Sequence, residues 1–292
     1  MRVFVILLSF VGLGCQSIGS KNSSYSQRGI NGETSVLLRF QPELNRQDRV
    51  KYYSYSDTKT FEDGDIRHQR QQVVTFELAQ VVKKTDVKTG RYTLLESTIK
   101  KDGLINLNLF GLPDLGEAFD REYTNRGFIL SAGSFPKDSF YLVPYLTLPK
   151  GKVSVGDTWT MSKSWKTGST PFSVNAVFIL KGFVDCGPGD RCADIEISAD
   201  VIPELENKDT IYQVVHQGRV LVALKRSSVI WGTFKAREQL SLKKSVQKIS
   251  SCITFHLDSP SEYTWDGVKS ECDPGDPNVL NLKGLPTFKS ND

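Results

Sequence analysis

From residue 34 onward the chain is a succession of short segments rich in Val, Ile, Phe, Tyr and Thr, each closed by Gly, Pro, Asp or Asn. Such runs read as strands separated by turns. The cleanest alternation lies in residues 194–201, where Ile195, Ile197, Ala199 and Val201 fall on one face and Asp194, Glu196, Ser198 and Asp200 on the other. That is the pattern of a half-buried antiparallel strand. Further strands are expected at 49–60, 70–84, 90–101, 121–132, 157–165, 171–185, 210–216, 219–231, 234–244 and 249–257. No stretch keeps a helical period over three turns, and residues 114–123 are the one place where a short helix is expected. The pattern predicts an all-β body.

Laid side by side, the segments suggest an internal repeat. Pro113-Asp114-Leu115 recurs as Pro203-Glu204-Leu205, and Gly127-Phe128-Ile129-Leu130 recurs as Gly218-Arg219-Val220-Leu221, each glycine being read as a turn. Upstream of each copy stands an expected hairpin, 70–101 with its turn at 86–90 and 171–201 with its turn between Cys186 and Cys192. Two similar β-rich halves follow, 34–148 and 149–258, with an irregular segment at 259–292.

Ahead of the body the pattern changes. Residues 16–33 are rich in Ser, Gly, Asn and Gln with little apolar content, the composition of a flexible tether. Before them, Arg2 supplies one charge and residues 3–11 are apolar apart from Ser9. That run falls short of the ~20 residues that span a bilayer and reads as an export signal.

The signal ends in Val11-Gly12-Leu13-Gly14-Cys15, which resembles the lipobox of bacterial lipoproteins, with cleavage before the cysteine. The resemblance implies a signal peptide at 1–14 and a lipidated Cys15 heading a tether at 15–33. Cys15 would carry a thioether-linked diacylglycerol and an acylated amino group, a membrane anchor of several buried chains. Gln16 in place of an aspartate implies delivery to the outer membrane. Removing Cys15 leaves Cys186, Cys192, Cys252 and Cys272, an even number for an oxidising compartment. Three connectivities are possible; the turn Gly187-Pro188-Gly189-Asp190-Arg191 favours pairing Cys186 with Cys192, which leaves Cys252 for Cys272.

Between the halves, Leu148-Pro149-Lys150-Gly151-Lys152-Val153-Ser154-Val155-Gly156-Asp157-Thr158-Trp159 combines a proline, an alternating Val-x-Val, a Gly-Asp turn and a tryptophan that opens a strand. This P…V-x-V-G-D-x-W element resembles a group of uncharacterised bacterial envelope lipoproteins in which it precedes the second of two similar β-rich halves. The resemblance implies a strongly curved antiparallel sheet, like the incomplete barrels of periplasmic lipoprotein and lipid carriers.

Chemistry-bearing motifs are scarce. The three histidines, His68, His216 and His256, stand apart from any GxSxG elbow or HExxH helix, and His216 and His256 read as outward-facing strand residues. No Walker or GxGxxG sequence is present, so no nucleotide cofactor is expected, and without CxxC spacing the cysteines do not read as a metal site. The acidic turns 185–194 and 273–276 lack the ligand spacing of a calcium loop. Glu117, Asp120 and Glu122 are the carboxylates nearest to a hydrolase pair and read as a solvated face. Arg219, Lys225, Arg226, Lys235, Arg237, Lys243, Lys244 and Lys248 oppose a single acid, Glu238, in a basic stripe suited to anionic headgroups or to protecting a sheet edge.

Two aromatic groups, Tyr52, Tyr53 and Tyr55, and Phe135, Phe140, Tyr141 and Tyr145, are placed either to line an apolar cavity or to fill a core. With a net charge of +4, nothing demands a nucleic-acid partner. The expected function is therefore that of a non-enzymatic, membrane-anchored envelope lipoprotein binding an apolar, lipid-like ligand. The alternatives are an assembly lipoprotein that recognises another envelope protein and a carboxylate-based hydrolase.

Overall fold

The computed structural model describes residues 35–187, 189–204, 210–242 and 245–258. Eleven strands make up the body: β1 (Gln47–Glu62), β2 (Asp65–Asp86), β3 (Arg91–Asp102), β4 (Ala118–Thr124), β5 (Ile129–Ala132), β6 (Thr158–Thr167), β7 (Thr170–Gly187), β8 (Asp190–Pro203), β9 (Thr210–Ala223), β10 (Ser228–Leu242) and β11 (Ser245–Leu257). Two 3-10 turns, Leu107–Phe110 and Phe140–Leu142, are the helical pieces among the described residues.

All eleven strands share one strongly curved antiparallel sheet, in the order β5-β4-β3-β2-β1-β11-β10-β9-β8-β7-β6, and the sheet is not closed. The chain meanders outward from β1 to β5, crosses to the opposite edge, and meanders back from β6 to β11. There β11 pairs with β1 from Val50 opposite Leu257 to Glu62 opposite Ser245. Tight turns set the registers locally: Asp63 and Gly64 both hold positive φ, 51° and 94°, the requirement of the two-residue turn that matches strand twist.

Because β5 and β6 are the two edges, residues 133–157 must run from one edge to the other. The Gly133 amide donates to the Asp120 carbonyl at the first edge, and the Lys166 amide donates to the Asp138 carbonyl at the second. Further along, the Trp159 indole donates to the Thr147 carbonyl at 2.6 Å, and Arg39 donates to the carbonyls of Pro149 and Lys150. Leu142, Leu146 and Leu148 of this connection are buried in the same core as the sheet.

The inner face follows from register. Phe76, Tyr52, Phe255, Gly232, Val220, Ile195 and Leu180 sit opposite one another across seven strands and face the core. Strand alternation then puts every second residue of β7 and β8, including Phe178, Ile197 and Val201, on the same side, as the alternation in residues 194–201 predicts.

The structure corrects three expectations. Residues 118–124 form strand β4 instead of the helix expected at 114–123; Phe119, Arg121 and Tyr123 face inward while Asp120 and Glu122 face out, a period of two that overrides weak helical propensity. Gly218 is not a turn. It lies within β9, and the reversal to β10 falls at residues 224–227, inside the segment expected as a single strand at 219–231. There Ser227 takes φ 56°, and the Asp190 carboxylate accepts the amides of Lys225 and Arg226. Gly127, its supposed counterpart, is a turn glycine with φ 89°, so the second half of the repeat match fails at that point.

Candidate functional site

The inner face is apolar along most of its length, and buried charges break the pattern at several points, among them Asp48, Glu96, Arg121 and Glu238. On β3 the phase of Tyr92, Leu94, Glu96 and Thr98 carries Glu96 inward; on β4, Arg121 sits between Phe119 and Tyr123 on the same side. Glu96 is 2% exposed and meets Arg121 Nε at 3.1 Å. The Nε–H is aimed off the oxygen, so this contact is ionic in character, while Arg121 Nη2 donates to the Gly111 carbonyl. Glu96 also accepts from the Gln80 amide at 3.0 Å and the Tyr123 hydroxyl at 3.3 Å. Burial pulls the Arg121 pKa down, and Glu96, Tyr123 and Tyr52 push it back above the ordinary value.

Around this pair converge four phenols. Tyr52 stacks on Phe76 with centroids 4.5 Å apart, and Tyr92 stacks on Tyr123 at 5.1 Å. Tyr145, from the edge-to-edge connection, sets its ring edge-on against Phe234 and Phe255 at 5.8 and 5.6 Å. Burial, first of all, raises the pKa of each of these four hydroxyls. Tyr145 nevertheless keeps 41% of its surface open, so part of the ring borders free space beside Phe234 and Phe255.

That space includes a cavity of ≈ 80 Å³ lined by Arg46, Tyr52, Tyr92, Tyr123, Tyr145 and Phe255, among others. Arg46 precedes β1 and packs inward beside Asp48. Its Nε donates to Asp48 at 2.9 Å and its Nη1 to the Arg226 carbonyl, and Arg226 reaches the same Asp48 carboxylate. Burial lowers the Arg46 pKa, helped by Arg226 and opposed by Asp48.

A further inward charge is Glu238 on β10, in phase with Phe234 and Ala236. It is 4% exposed, and burial pushes its pKa up to about 7, with the facing Tyr212 hydroxyl pulling the other way. His216 lies on the same face, opposite Ala199 and Ala236, and is buried; the outward orientation expected for it is corrected by the position of Gly218 inside the strand.

Other residues named from the sequence fall as follows. Tyr53 and Tyr55 take the outer face, where Tyr55 packs on Cys252. Of the second aromatic group only Tyr145 reaches the cavity; Phe135 packs with Tyr141 and Phe119, and Phe140 with Phe172. His68 is exposed on β2, and His256 is half-buried opposite Lys51 and Trp231. Glu117 binds Asn108 and the Asp114 amide, Asp120 pairs with Lys83, and Glu122 with Arg91, so these carboxylates are engaged separately.

The basic stripe divides: Arg219 forms a two-pronged pair with Asp194, Arg226 turns in to Asp48, and Lys248 lies over the Phe61 ring. Lys235 and Arg237 stay on the outer face. No group of three or more metal-ligating side chains occurs among the described residues. Cys186 and Cys192 are bonded across the β7–β8 turn, at an S–S distance of 2.13 Å. Cys252 is buried on β11, whereas Cys15, Cys272, Lys243, Lys244 and the acidic turn at 273–276 lie outside the described residues.

Sequence reasoning missed Arg46, Glu96, Arg121, Tyr92, Tyr123 and Tyr212, and read Glu238 only as the acid opposing the basic stripe. For Glu96, Arg121 and Glu238 a signal exists: each stands in the apolar phase of an alternating strand.

No family model and no curated protein matches the chain. Among solved structures it is similar to lipovitellin, described for its lipid–protein interactions, at 12% identity and a TM-score of 0.42 over 75% of this chain. The match takes in 25% of the lipovitellin chain, so this protein spans a quarter of that length. An outer membrane channel from Pseudomonas putida F1 aligns at 7% identity, TM-score 0.21, over 77% of this chain and 98% of that one. A DUF1329 family protein from Desulfovibrio piger aligns at 13% identity, TM-score 0.14, over 76% and 88%. At such scores the function has to be argued from the site.

Proposed function

We propose that this protein is a non-enzymatic bacterial envelope lipoprotein, anchored to the outer membrane through Cys15, whose concave face holds an apolar, lipid-like ligand. The observation that carries the reading is Tyr145, set inside the curve of an unclosed sheet, against two phenylalanine rings, with 41% of its surface open. An accessible ring beside two buried ones is what a binding concavity offers an apolar ligand.

The dimensions specify how a ligand enters. An engineered apolar cavity of ~150 Å³ holds benzene, and the cavity here, ≈ 80 Å³, is smaller. An acyl chain therefore needs the connection to yield. Tyr145 is the part able to do so, since its side chain is exposed while Pro144 and Leu146 on either side are buried. The Tyr145 ring is the piece that swings. Glu96, engaged by Arg121, Gln80 and Tyr123, is positioned as structure instead of as a general base.

The test is native mass spectrometry of the mature protein, first as purified and then after delipidation and refilling with long-chain lipids, together with displacement of a solvent-sensitive naphthylamine probe. One ligand per chain is expected, with loss of probe binding in Tyr145→Ala. Absence of any bound lipid in both preparations, with no probe binding, overturns the reading.

A further inference from the structure

We infer that the ligand is a fatty-acid-type amphiphile whose carboxylate is received by Arg46 in the inner cavity, its tail running past Tyr145 along the concave face. This rests on the proposed function and names the chemistry of the ligand's head.

Arg46 leaves part of its hydrogen-bonding capacity unused. Its Nε and Nη1 are used on Asp48 and the Arg226 carbonyl, and Nη2 has no partner among the described residues, although the side chain lines the cavity. The Asp48 carboxylate is shared with Arg226, so Arg46 does not have that anion to itself. A mostly buried guanidinium with one nitrogen left without a partner is suited to a further anion.

The other polar side chains lining the cavity are the phenols of Tyr52, Tyr92, Tyr123 and Tyr145, the Ser227 hydroxyl and the Gln80 amide. The hydroxyls of Tyr52, Tyr92 and Tyr145 make no hydrogen bond to a described residue, and the Gln80 amide nitrogen is already committed to Glu96. The guanidinium can only donate, and three phenols beside it are able to donate as well, so together they suit a head that accepts, such as a carboxylate. The side chains of Phe40, Val50, Leu94, Ile129 and Phe255 in the lining offer nothing polar and suit methylene groups. At ≈ 80 Å³ the cavity has room for a carboxylate and its first carbons, while a glycerophosphate head exceeds it.

The tail's route follows from the ring contacts. Tyr145 touches both Phe255 and Phe234, and those two rings are buried over Gly232 and Gly218, so the exposed surface beside the cavity is that of Tyr145 itself. A chain leaving the cavity passes over the Tyr145 ring.

The experiment uses the delipidated mature protein and four competitors of the naphthylamine probe: palmitate, hexadecanol, hexadecyl phosphate and butyrate. Palmitate is expected to bind roughly ten- to a hundredfold more tightly than hexadecanol, the range of a charge-assisted hydrogen-bond set. Arg46→Met is expected to lower palmitate affinity to that of hexadecanol and leave hexadecanol unchanged. Tyr92→Phe, which removes one hydroxyl and keeps the ring, should weaken palmitate several-fold, so the inference stays testable if the arginine variant does not fold. In wild type, ¹³C-carboxyl-labelled palmitate should remain ionised to lower pH than in detergent.

Equal binding of palmitate and hexadecanol overturns the carboxylate assignment and leaves the lipid reading standing. Tighter binding of hexadecyl phosphate than of palmitate, or butyrate competing as well as palmitate, likewise overturns it, in favour of a phosphate head or a small free acid. Failure of all four competitors overturns the lipid reading itself.

Discussion

Glu96 and Arg121 form an ion pair on the concave face of the sheet, 3.1 Å apart, with both side chains buried. Removing one partner strands the other charge in an apolar wall, which costs about 3–5 kcal/mol, whereas replacing both by uncharged residues costs less. Glu96→Gln and Arg121→Met are each expected to lower stability by that order, and the double variant by less than their sum. Urea denaturation of the four proteins in a double-mutant cycle checks this. Single variants within 1 kcal/mol of wild type would show that the pair is solvated and the concavity wetter than described.

Two inner-face glycines make room for rings. A Cβ on Gly218 would come within 2.4 Å of Phe234 Cδ1 and 2.9 Å of the Thr233 carbonyl oxygen, and one on Gly232 within 2.6 Å of Phe255 Cζ. Overpacking of this kind costs about 1–3 kcal/mol. Gly218→Ala and Gly232→Ala should therefore lower the thermal midpoint. Combining Gly218→Ala with Phe234→Leu should restore part of the loss in calorimetry, because the clash is with a ring that can be shortened.

Cys15 carries the prediction that concerns address. A chain whose signal is cut before a lipidated cysteine sediments with membranes, and Cys15→Ala should release it to the soluble envelope fraction while leaving the body folded. Fractionation of cells expressing each form, with incorporation of labelled palmitate, reads the outcome directly. Wild-type protein recovered in the soluble fraction without label removes the anchor from the proposal.

The all-β character and several turns were legible because strand alternation and turn chemistry are local. The hairpin of β2 and β3 closes near Gly90, and the turn joining β7 to β8 lies between Cys186 and Cys192, where the sequence points. Gly218 misled because a glycine within a strand and a glycine in a turn look alike until the ring of Phe234, from the neighbouring strand, is in place. The site was hidden for a related reason. Glu96 and Arg121 come from different strands, and only the β3–β4 register, with Leu94 opposite Arg121 and Glu96 opposite Phe119, brings them together. Arg46 was still harder to see, lying outside any strand and gaining its role from Asp48, the turn at Arg226 and the tyrosines across the cavity.

Glu238 makes stability depend on pH in a stated direction. Its carboxyl titrates at about 7 in the folded protein against 4.5 ordinarily, because burial disfavours the charged form. A raised folded pKa means that the native state binds more protons than the unfolded chain between those two values. Its contribution is therefore fully present below about pH 4.5 and is lost as pH rises through about 7. The whole effect is of the order of 3 kcal/mol, from a shift of two to three pKa units. In Glu238→Gln this dependence should vanish, leaving the variant close to wild type at pH 4.5 and more stable than it at pH 8. Urea midpoints at the two pH values decide the matter. A variant that loses stability between them as steeply as the wild type would show that another group governs the profile.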